Sequence, residues 1–189
     1  MGIAGTEYDG WLTVGQFFLS TSRPKKGEDP SESIKVSKSG AFRTLNNWIS
    51  ECDESDTHCL CRVGCGDADQ SLPDRVLAVG SVETPRLQLK EISGESSKNA
   101  ALNYFWGKAQ NYTTTLATLD EFRHDIDESR LPKTITDAVA LTRALGLEYL
   151  WVDALCIIQG NPEDWERQSS KMHQVYSNAY LTICASRAT

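Results

Sequence analysis

The sequence predicts an α/β domain: a parallel sheet with helices on both faces, preceded by a small N-terminal extension. Three observations predict it. The chain has 189 residues, 40% of them hydrophobic, with five Trp, six Tyr and five Phe, enough apolar area to build one core. Its last 90 or so residues read as strand, helix, strand, helix, strand. That order implies right-handed crossovers, and these place parallel strands under helices on both sides. The third observation is YLWVDALCIIQ, residues 149–159, in which Asp153 is the single acid in an otherwise apolar, core-like run.

Residues 1–40 form an N-terminal arm and linker. Within them TSRPKKGEDPSESIKVSKSG, residues 21–40, combines turn breakers with mixed charge and few apolar residues, the signature of a flexible loop. Residues 41–99 lead into the main domain. AFRTLNNWISEC places Phe42, Leu45, Trp48 and Ile49 at helical spacing, the stripe of a helix with one buried face. RVLAVGS and RLQLKEI, bounded by Pro73, Gly80, Pro85 and Gly94, read as two strands of a hairpin or meander.

Residues 100–189 are the core. AALNYFWG reads as a strand that ends at Gly107. In LPKTITDAVALTRALGLEYLWVD, Ile135, Ala138, Val139, Thr142 and Leu145 line one helical face, Gly146 stops the helix, and YLWVD follows as a strand. In GNPEDW, Asn161 caps, Pro162 suits the first turn, and Glu163 and Asp164 favour the positive end of the helix dipole. The buried stripe of that helix is expected at Trp165, Met172, Val175, Tyr176 and Ala179, before AYLTICAS forms the last strand. No internal repeat or low-complexity tract is present.

Nineteen basic against twenty-six acidic residues give a net charge of -7, which argues against nucleic acid as a partner and against anionic membrane surfaces. No apolar run approaches the ~20 residues of a spanning helix, and Met1 to Gly10 lacks a secretory signal, so the expected address is cytoplasmic. MGIAGT fits a myristoylation pattern, but Glu7 and Asp9 stand where a second, basic membrane signal belongs, and stable membrane association is not expected. Of six cysteines, Cys52, Cys59, Cys61 and Cys65 crowd one segment with His58. Because CDESDTHCLCRVGC has no CxxC knuckle, reduced thiols are expected there and no metal is assigned, with a structural zinc site as the alternative.

Three consecutive stretches, ALNYFWG, LPKTITDAVALTRALGLEYLWVDALCIIQ and EDWERQSSKMHQVYSNAYLTICAS, resemble the heterokaryon-incompatibility (HET) domain of filamentous fungi. NNWISEC with PDRVLAVGS resembles the segment that often precedes it. The resemblance implies an effector of programmed cell death in fungal non-self recognition. It also implies a TIR-like fold with a flavodoxin-like parallel sheet. Some TIR domains cleave NAD at the nicotinamide glycosidic bond, which would make NAD a substrate here and requires no bound cofactor. Two departures stand out: Asn103 and Phe105 replace the family's usual Ser and Cys, so neither is a nucleophile, and Gln168 stands where an acid is common.

Cleavage of that bond needs a carboxylate near the ribose and an aromatic slot for the departing base. The candidate carboxylates are Asp153, Asp164 and Glu166, and the candidate binding residues are Trp106, Gly107, Trp151 and Trp165. In a parallel sheet Trp106 and Asp153 fall at the C-terminal rim, where open α/β sheets bind ligands. The competing reading of each acid is structural: a helix-start charge, a solvated acid, or an ion-pair member. The competing function is a non-catalytic module that signals through self-association or a regulatory protein partner, with YDGWLTVGQFFL as its docking patch or as core.

Overall fold

The computed structural model describes residues 12–14, 17–19, 45–47, 49–51, 71–106 and 112–185. The cysteine-rich segment, Gly107, and most of residues 1–44 lie outside these, so the expectations placed on them are not addressed by the structure.

Leu12–Val14 (β1) pairs antiparallel with Phe17–Leu19 (β2) as a separate two-stranded sheet. Residues 45–47 and 49–51 are helical (α1), and the buried Leu45 and half-buried Ile49 pack on the main core as their spacing requires. The main sheet has five strands. Arg75–Gly80 (β3) and Pro85–Glu91 (β4) form the expected hairpin. Its turn depends on Gly80, whose φ of 68° suits glycine; a Cβ there would stand 2.6 Å from the Thr84 carbonyl oxygen.

Asn99–Tyr104 (β5) is followed by a short helix, Leu119–His124 (α2), a 3₁₀ turn at Glu128–Arg130, and the helix Lys133–Ala144 (α3). Helix α3 buries Ile135, Ala138, Val139 and Thr142 and ends against Gly146 at φ 70°, as its periodicity predicts. Tyr149–Trp151 (β6) leads into one helical turn, Asp153–Cys156 (α4). The long helix Pro162–Asn178 (α5) is capped by the Asn161 side chain, which accepts from Asp164 N, and Leu181–Ala185 (β7) completes the sheet.

The strand order is β4-β3-β6-β5-β7. β5 lies parallel to β6 on one side and to β7 on the other, while β3 is antiparallel to both β4 and β6. The sheet is therefore mixed and not parallel throughout, a correction to the sequence-based expectation. The cause is the hairpin: its two strands join β6 directly and need no helical crossover, so nothing forces them into the parallel set.

Along β6, Leu150 and Trp151 face opposite sides, and both are buried. The Trp151 side is covered by α5, whose Tyr176 ring meets Trp151 edge-on at 5.7 Å. The core between sheet and helices is assembled from Leu77, Leu89, Leu102, Leu150, Ile135, Val139 and Phe122, all fully or nearly fully buried. A smaller cluster of Leu72, Val76 and Ile92 packs with Tyr149.

Helix α5 departs from its expected stripe. Trp165 is 50% exposed, while Asp164, Gln168 and Val175 are buried. The buried face is rotated by one residue because the carboxylate of Asp164 is drawn inward by an arginine from β3. Met172, Tyr176 and Ala179 pack on the core as expected.

Candidate functional site

From β5 the chain crosses to β6 on one side and, after β6, returns past β5 to β7 on the other. The winding direction thus reverses around β5, and the C-terminal edge at such a reversal is where open α/β sheets leave a crevice. Two side chains meet at that edge. Trp106 lies two residues beyond the end of β5, and Asp153 lies two residues beyond the end of β6. The Trp106 indole Nε1–H donates to Asp153 Oδ2 at 2.6 Å. Parallel pairing of β5 with β6 carries both chains to the same edge; β5 runs three residues past the Ala101–Trp151 pair before it ends, and the Trp106 side chain spans that offset to Asp153.

Asp153 does not end the strand, as the apolar run suggests; Val152 does the turning and Asp153 opens α4. Its Oδ1 accepts from Ala154 N at 2.7 Å, so the carboxylate serves its own helix start. Both donors are neutral. Partial burial pushes the Asp153 carboxyl above its ordinary value of 3.8, and the hydrogen bonds from Trp106 and Ala154 offset only part of the rise. Nearby, burial drives the Tyr176 hydroxyl up to about 12, reinforced by the Asp153 charge. The Cys156 thiol, fully buried, is likewise pushed up to about 12 and is chemically quiet.

The second acid on the same edge has a different environment. β3 runs antiparallel to β6, so its first residue, Arg75, also reaches this edge. Arg75 Nη2 donates to Asp164 Oδ1, as does Arg167 Nη2 at 2.6 Å, while Asp164 Oδ2 accepts from Ile158 N at 2.8 Å. Arg75 and Asp164 are 2% and 4% exposed. Asp164 is thus a buried ion-pair member whose two oxygens already accept three hydrogen bonds. Just outside, Asp74 accepts from Lys171 Nζ at 2.8 Å and from Gln168 Nε2 at 3.2 Å. Burial pushes the Asp74 carboxyl up, but Lys171, Gln168 and Arg167 together hold it below its ordinary value.

The remaining expected residues separate. Glu166 is exposed on the first turns of α5, and Trp165 is half-exposed beside it. Trp151 is 1% exposed and serves as core under Tyr176. Gly107 lies just beyond the described residues. Sequence reasoning missed Arg75, Asp74 and Lys171, since no local pattern joins residues about 90 positions apart to α5. A depression of about 380 Å³ lined by Gly80, Ser81, Lys90, Arg143, Glu148 and Tyr149 lies at the opposite edge, where β6 begins. No group of three or more His, Cys, Asp or Glu side chains suited to a metal ion occurs among the described residues. No helix among them is long and apolar enough to cross a membrane.

Comparison with protein families matches residues 100–189 to the family of the Heterokaryon incompatibility protein (HET). Comparison with curated proteins and with solved structures gives no match. The matched segment holds β6, β7, all but the first residue of β5, the helices α2 to α5, and both members of the Trp106–Asp153 pair. Residues 100–189, just under half of the chain, thus match the heterokaryon incompatibility (HET) domain.

Proposed function

We propose that this domain is an effector of fungal heterokaryon incompatibility that triggers cell death by cleaving NAD at its nicotinamide glycosidic bond, with Asp153 as the working carboxylate. The family carries the role in heterokaryon incompatibility. The order β6-β5-β7, which has the 2-1-3 pattern of flavodoxin-like sheets, supports the TIR-like reading of the fold. The observation that carries the reading is the state of Asp153: a partly buried carboxylate at the reversal edge, held by neutral donors alone and paired with no cation among the described residues.

Such a group has unspent charge for a developing cation. In the reaction the bond between ribose C1′ and the nicotinamide nitrogen breaks. Its electron pair goes to the ring, which leaves as neutral nicotinamide, and positive charge builds at C1′ beside the carboxylate. Water then adds to C1′ and its proton passes to the carboxylate or to solvent, giving ADP-ribose. Asp164 is already committed to Arg75 and Arg167, and Glu166 sits in water, where a carboxylate stabilises such charge least. The test is incubation of the purified protein with NAD, NADP and ATP followed by product chromatography. Release of nicotinamide by the parent and its loss in Asp153→Asn supports the reading, and intact NAD overturns it.

A second reading has its own observation. Phe105 is 73% exposed next to Trp106, and Trp165 is half-exposed on α5. These suit a module that signals through self-association or a regulatory protein partner. Cell killing that survives Asp153→Asn but is abolished by Phe105→Ser with Trp165→Ser selects that reading.

A further inference from the structure

We propose that Trp106 is a positioning residue for Asp153: its indole N–H fixes the rotamer of the carboxylate at the sheet edge. The proposal deepens the reading of Asp153 as the working carboxylate, yet the interaction itself is measurable without any substrate.

The surroundings of Asp153 leave few other groups to do this. On its own turn, Cys156 Sγ accepts from Val152 N, and the Gln159 amide is spent on the carbonyls of Asp153 and Ile157. From α5 the nearby titratable group is Tyr176, whose hydroxyl donates to the Leu102 carbonyl at 3.4 Å. From β7 it is Cys184, which lies close enough to bear on Tyr176. From β3 it is Arg75, committed to Asp164 and felt by Cys156. Among the described residues, Trp106 is therefore the one side-chain donor to the carboxylate, and Ala154 N the one backbone donor from another residue. The backbone bond to Oδ1 leaves the carboxylate free to adjust about its last torsion. Adding the indole bond to Oδ2 closes that freedom, because Trp106 is anchored against the core.

The indole also acts on ionisation. It favours the charged form against the desolvation that opposes it. A hydrogen bond to a charged group contributes ~1.5 to 3 kcal/mol, so its loss should change the acid constant by about tenfold or more.

The experiment is a ¹³C NMR titration of the full chain labelled at aspartate, with Asp153→Asn identifying the resonance. In Trp106→Phe, which keeps an aromatic ring and removes the N–H, Asp153 should titrate about one pH unit higher than in the parent. An Asp153 titration unchanged in folded Trp106→Phe overturns the proposal. Should that variant not fold, the parent decides: a Trp106 indole proton whose shift follows the Asp153 titration supports it, and a flat indole signal overturns it. The NAD assay is a separate arm. Absence of hydrolysis by the parent defeats the reading of Asp153 as catalytic and leaves the titration result standing. Where hydrolysis occurs, the acid limb of its pH profile should rise with the NMR value in Trp106→Phe.

Discussion

Two acids stand on one edge of the same sheet, 11 positions apart in sequence, and the chain treats them in opposite ways. Asp164 is almost fully buried and receives two guanidinium groups. Asp153 is less buried and receives only an indole and backbone amides, its own among them. Burial of an ion is tolerated when its charge is matched, so the Asp164 corner is a closed electrostatic unit that ties α5 to β3. The Asp153 corner is left open. A buried carboxylate without a cation carries a desolvation cost.

The largest test of this contrast is removal of one partner of the closed unit. Arg75→Met strands the Asp164 charge in the interior and should cost about 3 to 5 kcal/mol in urea unfolding. The double variant Arg75→Met with Asp164→Leu should recover much of that loss, because no lone ion remains. A single variant as stable as the parent would erase the distinction between the corners.

The next test is the sign of the pH dependence. The Asp153 carboxyl is raised in the folded state, so the unfolded chain loses its proton first. Stability is unaffected well below 3.8 and falls as pH rises from there through the folded value. Asp153→Asn should therefore gain stability relative to the parent as pH increases over that window. Asp74 is lowered, and its contribution is present above 3.8 and lost as pH falls through its folded value. Asp74→Asn should accordingly lose stability relative to the parent near neutral pH and converge with it in acid. Parallel slopes for the two variants would contradict the contrast.

Smaller effects sharpen it. In native protein, Cys156 should resist alkylation until the fold opens, being fully buried with its thiol at about 12, whereas the half-buried Cys184 should react sooner. Trp165→Ala should shift unfolding by no more than about 0.5 kcal/mol, since half of that ring already lies in water.

What the sequence discloses divides along the same line. Helix α3, its stop at Gly146 and the Asn161 cap of α5 are legible because each depends on residues within one or two turns. The placement of Trp106 beside Asp153 is legible in outline, since parallel pairing of β5 with β6 sends both strands to the same edge, although 47 positions separate the two and β5 runs three residues further. The Arg75–Asp164 pair is not legible. It joins residues 89 positions apart, and it exists because an antiparallel hairpin enters the sheet. The same pair rotates α5 so that Asp164 turns inward and Trp165 outward, which a count of apolar spacing cannot anticipate.

The position of β3 bears on how the domain can be excised and transplanted. The family segment begins at residue 100, but β6, the middle strand, has β3 as its neighbour on one flank, from residues 75–80. A fragment cut at residue 100 would expose the hydrogen-bonding edge of a buried, apolar strand, an invitation to intermolecular pairing. It would also part Asp164 from its buried arginine. The portable unit therefore starts upstream of Ser71, whose bridge to Ser96 fastens the hairpin at its base.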